Sequence, residues 1–176
     1  VLLSDVDIAL AEKAKGGIDK ALTRLVGRDK ITPADAEAAL ARITPIGDYA
    51  AMAEADLIIE AATEKEEIKR KIFEAAGKVL RDDAIMASNT SSIPITRMAT
   101  SSPDPKRFIG LHFFNPVPVM GLIEVIPGLA TSAETVARTR AFAESLGKQV
   151  VQAEDEPGFV VNRILLPMLN EAVFVL

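Results

Sequence analysis

Cysteine is absent from this 176-residue chain, and histidine occurs once. Without cysteine there is no disulfide framework, no thiolate nucleophile and no thiolate metal site. One imidazole excludes a multi-histidine zinc centre. Positive charge is also scarce: 20 Lys and Arg against 25 Asp and Glu give a net charge of −5. That is the wrong sign for the basic face of a general nucleic-acid binder, although a few local cations can still hold an anionic small molecule. Long apolar runs are missing too. The longest uncharged stretch, 108–123, contains His112, Asn115, Pro116 and Pro118 and falls short of the roughly 20 apolar residues of a membrane span. No secretory leader is recognisable, so the expected location is cytoplasmic.

What is present is an ordinary globular composition, 49% hydrophobic and 26% charged, in a chain of one domain or one domain plus a fragment of another. Val1 to Asp5 already reads as a strand, and Ala172 to Leu176 stops inside an apolar stretch, so the chain is expected to be an internal piece of a longer protein. Apolar residues from Ile8 to Val26 recur at helical spacing and predict an amphipathic helix over 6–28, weakened by Gly16-Gly17. Thr32-Pro33 opens a second helix that runs to about Arg42. Continuous apolar runs over 56–62 and 84–88 predict strands covered on both faces. Between them, Thr63 and Glu66 have capping-box spacing ahead of a helix. Strands are predicted over 107–114, 122–126 and 149–153. A capping box at Thr131–Glu134 opens a helix that ends at Gly147, and a last apolar helix starts near Phe159. Strands alternating with capped helices imply an α/β fold with a largely parallel sheet. The expected domain boundary lies near Asp155, giving 1–154 and 155–176.

In such sheets ligands bind at the carboxyl ends of the strands, which singles out several polar residues. Asp5 follows the first strand; it is either an acceptor for both hydroxyls of an adenosine ribose or a helix N-cap. Glu64 and Lys69 follow the 56–62 strand and are either a solvated helix start or part of a ligand site. Asn89-Thr90-Ser91-Ser92 is either a helix cap or a ligand cradle. His112 lies in an apolar strand, where a lone histidine is more often a hydrogen-bonded core residue than a catalyst. Glu124 alters that balance. It sits inside the apolar run Leu122-Ile123-Glu124-Val125-Ile126, where a buried carboxylate needs a partner, and the turn between the two strands can bring His112 within reach. A carboxylate beside an imidazole fixes its tautomer and stabilises the imidazolium formed on proton abstraction.

Four motifs occur in order: Ser88-Asn89-Thr90-Ser91-Ser92; Gly110-Leu111-His112-Phe113-Phe114-Asn115-Pro116-Val117-Pro118-Val119-Met120; Leu122-Ile123-Glu124-Val125-Ile126; and Pro157-Gly158-Phe159-Val160-Val161-Asn162-Arg163. Together they make the chain resemble the L-3-hydroxyacyl-CoA dehydrogenases over nearly its whole length, the short-chain 3-hydroxybutyryl-CoA enzymes most of all. The resemblance implies a Rossmann-like sheet with helices on both faces, followed by the first helix of an all-α C-terminal domain. It implies NAD as cofactor, an acyl-CoA as substrate, no nucleic-acid or membrane partner, and a homodimeric full-length protein. It casts His112 as the catalytic base, Glu124 as its orienting partner, Ser91 as a contact to substrate and nicotinamide, and Asn162 as a holder of the reacting acyl group. Asp5 would take the adenosine ribose, Glu64, Lys69 and Asn115 would line the rest of the cofactor site, and Arg28 would meet a CoA phosphate or simply end a solvated helix. No metal is implied.

The chain departs from the family in one respect. The family's first strand and its Gly-x-Gly-x-x-Gly turn, whose amides hold the pyrophosphate, have no counterpart here, and Val1 corresponds to the second strand. In the order 3-2-1-4-5-6 the first strand is central, so its loss should leave unpaired strand edges, with weak NAD binding and marginal stability in the isolated chain. Competing readings are a non-catalytic relative such as a lens crystallin, one module of a multifunctional β-oxidation enzyme, and a dehydrogenase of free hydroxyacids. The last commonly uses lysine as acid and base, which the His112 motif does not fit.

Overall fold

A computed structural model describes all 176 residues, which divide into two compact units, Val1–Glu54 and Ala55–Leu176. The expected boundary at 154/155 falls inside the second unit. In the first unit, β1 (Leu2–Ser4) and β2 (Thr44–Ile46) pair in parallel, joined by helices α1 (Ile8–Val26) and α2 (Pro33–Ala41). A parallel pair needs such a crossover. Helix α1 starts later than the spacing predicts. Its cap is Asp7, whose carboxylate accepts the Ala9 amide at 2.7 Å, whereas Asp5 accepts only the amide of its neighbour Val6. The cap reading of Asp5 is therefore corrected. Gly16-Gly17 do not interrupt α1; an interior glycine costs only about 1 kcal/mol, spread here over 19 residues. Thr32 caps α2 in a reciprocal box with Asp35. Strand β2 is not predicted by the sequence, because three residues around Pro45 carry no periodicity and proline argues against a strand.

The second unit contains β3 (Leu57–Glu60), α3 (Glu66–Ala76), β4 (Ile85–Ser88), α4 (Ile95–Met98), β5 (Phe108–Phe113), β6 (Leu122–Pro127), α5 (Ala133–Ser145), β7 (Gln149–Gln152) and α6 (Val161–Val175). The strands lie in the order β3-β4-β5-β6-β7. All neighbours run parallel except β5 and β6, and β3 has a neighbour on one side only.

Two capping predictions are corrected. Helix α3 begins from Lys65 with no side-chain cap, because the Glu66 carboxylate is drawn to Arg97 at 2.7 Å and does not turn back to Thr63. The α5 cap is Ser132, which accepts the Thr135 amide. The hydroxyl of Thr131 is spent instead on the Phe108 carbonyl and the Gly128 amide.

Strand side chains alternate between faces, and each face meets its own helices. Ile85, Ala87, Ile109, Leu111, Ile123 and Val125 form a buried cluster with Ala143 of α5. On the opposite face Phe108 packs edge-on against Phe73 of α3 at 4.7 Å. There Gly110 lets Ile95 of α4 settle on the sheet, since a Cβ would lie 2.8 Å from the Ile95 Cδ1. His112 and Glu124 share this second face. Helix α6 carries Pro167 in its interior and exposes Ile164, Leu166, Met168 and Phe174. No helix is long and apolar enough to cross a membrane.

Candidate active site

His112 and Glu124 stand directly opposite one another across the antiparallel β5/β6 pair. Side chains so placed approach most closely on one face of a sheet, and a one-residue slip would send them to opposite faces. The His112 Nδ1 lies 2.7 Å from the Glu124 Oε2, with Glu124 fully buried and His112 nearly so. The other carboxylate oxygen, Oε1, accepts the amides of Val160 and Val161 at 3.0 and 2.9 Å. A buried carboxylate is tolerable only when its acceptor sites are filled, and three donors fill this one. Because an ionised carboxylate can only accept, Nδ1 must donate and Nε2 keeps the basic lone pair. Nε2 faces the Ser91 hydroxyl at 3.2 Å. Phe114 and Phe159 stand 4.7 and 5.6 Å from the imidazole, walling it with apolar surface.

Ser91 is held from its other side by Glu64. One oxygen of Glu64 accepts the Thr90 hydroxyl at 2.6 Å, the Ser91 and Ser92 amides at 2.8 and 3.1 Å, and the Ser92 hydroxyl at 3.0 Å. Partial burial alone would raise the Glu64 pKa, but these hydrogen bonds and the nearby Lys69 charge hold it below the ordinary glutamate value. Thr90, Ser91 and Ser92 are thus tied to an ionised carboxylate, and the Thr90 hydroxyl also accepts the Ser92 and Ile93 amides, as a cap does. Asn89 contributes differently, accepting the Phe113 amide at 2.8 Å and so fixing the end of β5.

Lys69 is not part of a solvated helix start. It is 1% exposed, donates to both oxygens of Glu60 at 3.0 and 2.7 Å, and lies 3.7 Å from Glu64. Glu60 also accepts the Ser88 hydroxyl and the Ala62 amide. The sequence reading overlooked Glu60, although the signal that singles out Glu124, an acid inside an apolar strand, is present in Leu57-Ile58-Ile59-Glu60. Asp155, marked in the sequence only as the expected domain boundary, was also overlooked as a side chain with partners.

Of the remaining candidates, Asn115 is exposed in the loop beyond β5, and Asn162 is half-buried in the first turn of α6. The second unit therefore brings together His112, Glu124, Ser91, Glu64 and Lys69, with Asn162 next to the Glu124-bound amide of Val161. Asp5 and Arg28 belong to the first unit, both exposed, Asp5 just past β1 and Arg28 just past α1. No cluster of three or more potential metal ligands is found.

This polar chemistry at the carboxyl ends of parallel strands suits a dinucleotide. Each unit by itself offers an acceptor for hydroxyl groups: Asp5, exposed past β1, in the first, and Glu64, with 44% of its side chain exposed, in the second.

Residues 1–156 match the family model described as the NAD binding domain of 3-hydroxyacyl-CoA dehydrogenase. The chain is 47% identical over its full length to a 3-hydroxybutyryl-CoA dehydrogenase of Bradyrhizobium diazoefficiens, covering 60% of that protein. It is 44% identical over 98% of its length to a 3-hydroxyadipyl-CoA dehydrogenase of Escherichia coli, covering 36% of that protein. The crystal structure of an (S)-3-hydroxybutyryl-CoA dehydrogenase from Ralstonia eutropha superposes with a TM-score of 0.95 at 45% identity, over 98% of this chain and 61% of that one.

Proposed function

Because the chain belongs to the 3-hydroxyacyl-CoA dehydrogenase family and carries its Rossmann-like NAD-binding domain, we propose that the protein interconverts a 3-hydroxyacyl-CoA and the 3-ketoacyl-CoA. The observation that carries this reading is the alignment Ser91–His112–Glu124, with contacts of 3.2 and 2.7 Å. In the oxidative direction His112 Nε2 takes the proton of the substrate 3-hydroxyl. Glu124 Oε2 stabilises the imidazolium so formed, which a neutral partner would not do. Ser91 shares the Nε2 lone pair before substrate arrives and donates to the reacting oxygen afterwards. Asn162, set beside the amides that Glu124 holds, steadies the acyl group. Phe114 and Phe159 keep water from the imidazole. When bound, NAD supplies the acceptor for the hydride leaving C3.

Asp5, Glu64, Ser91 and Asn115 would hold the cofactor. Lys69, closed to ligands by burial, would act beneath Glu64, and Arg28 would meet a CoA phosphate. Residues 155–176 would open a helical domain in a full-length, cytoplasmic homodimer, as the family resemblance implies. The test is NADH oxidation by the full-length protein with acetoacetyl-CoA. Turnover should fall about 10²–10⁴-fold in His112→Asn; equal rates in the two proteins would refute the assignment.

A further inference from the structure

The segment from β7 to α6 is fastened to the site at three points, one of which has no part in the chemistry above. Asp155 reaches back across the chain to the start of α4. Its two oxygens accept the Ile95 and Thr96 amides, each at 2.7 Å. Four residues on, Phe159 is buried with its ring against His112, in a left-handed backbone conformation at φ 50° that a residue with a Cβ adopts only under constraint. Gly158 before it has φ 80°, and a Cβ there would meet the Arg163 amide nitrogen at 3.0 Å. The Val160 and Val161 amides then close on Glu124. On the other side of the clasp, α4 is the continuation of the Ser91 cradle, four residues beyond Ser91. Glu64 and Thr90 fix the front of that cradle, and Asp155 fixes its back.

We propose that Asp155 is a positioning residue: by holding the Ile95 and Thr96 amides it sets the spacing between the Ser91 hydroxyl and the segment that brings Phe159 to His112. The role rests on the reading of His112 as the base, but its geometry is independent of which hydroxyacyl-CoA is turned over. A contact that served only to stabilise the fold would leave the Ser91–His112 hydrogen bond of the folded molecule intact. A positioning contact would not.

The experiment is ¹⁵N-histidine spectroscopy of the full-length protein, with the His112 signals assigned by their loss in His112→Asn, alongside kinetics with acetoacetyl-CoA and NADH. In Asp155→Ala the Nε2 resonance should move while Nδ1, still bonded to Glu124, stays in place. The kcat should drop about 10- to 100-fold, as expected for a misplacement near 1 Å, with the NADH KM unchanged. Asp155→Asn, which keeps one acceptor oxygen, should lie between. Unmoved Nε2 signals in the folded variants would overturn the role, whatever happens to their melting temperature. If Asp155→Ala does not fold, the Asn variant decides in the same way. A wild-type protein without dehydrogenase activity would defeat the functional reading, while the Nε2 displacement would still decide this one.

Discussion

Two glutamates sit at the ends of buried networks on the same sheet and do different things. Glu60 on β3 is tied to Lys69, and Glu124 on β6 to His112, each at 2.7 Å and with almost no exposure. The Glu60 carboxylate is surrounded by Lys69, Ser88 and Ala62; Lys69 reaches on only to Glu64, at 3.7 Å, and its ammonium bears no lone pair. The Glu124 network is open at one end. Its partner is an imidazole, whose second ring nitrogen, Nε2, looks outward past Ser91. The two networks differ in their open end: the partner of Glu124 keeps a ring nitrogen facing outward, and the partner of Glu60 does not.

The sharpest way to break this comparison is to swap each acid. In Glu124→Gln the amide can donate to Nδ1, inverting the tautomer and leaving Nε2 without its lone pair. Turnover of the full-length protein should fall about 10²–10⁴-fold, and near-wild-type rates would erase the distinction. Glu60→Ala strands the Lys69 ammonium in the interior, which should cost about 3–5 kcal/mol of unfolding free energy, read by urea denaturation. The folded fraction should turn over at close to the parental rate. Replacing both partners, Glu60→Leu with Lys69→Met, should cost less than the single change, since an apolar pair of similar volume removes the stranded charge. A double loss equal to the sum of the Glu60→Leu and Lys69→Met losses measured singly would show that the pair is not coupled.

The smallest effect concerns Glu64. Its folded-state pKa lies below the ordinary value, so its contribution to stability is complete above the unfolded glutamate pKa and is lost as pH falls through the lower folded one. Denaturation midpoints measured across that acid window should therefore decline in wild type. In Glu64→Gln this part of the decline should be absent.

Much of the fold was legible from periodicity because its helices carry amphipathic spacing and its strands run apolar. Strand β2 was not, since three residues around Pro45 have no period to read. The capping boxes at Thr63 and Thr131 failed for a shared reason: the hydroxyls or carboxylates they needed were claimed by tertiary partners, Arg97 for Glu66 and the Phe108 carbonyl for Thr131. In the site, the His112–Glu124 pairing could be argued from an acid in an apolar strand. The same rule applied to Glu60 would have found the second network. Asp155 left no such trace, because its partners are backbone amides some 60 residues away and any loop aspartate looks alike in one dimension.

The 176-residue chain has no glycine-rich βα turn, and its strands form two separate sheets. Equilibrium dialysis of this chain should accordingly find NAD binding weaker than micromolar, and micromolar affinity would show that such a turn is not needed.

Glu124 leaves little freedom for engineering. The carboxyl group that bonds the imidazole with one oxygen seats the first turn of α6 with the other, so ring orientation and helix placement are set by the same group. A designer reshaping the surroundings of the imidazole would do better to alter Phe114 or Phe159, which stand against the ring, because any replacement at position 124 disturbs the ring's partner and the helix's anchor at once.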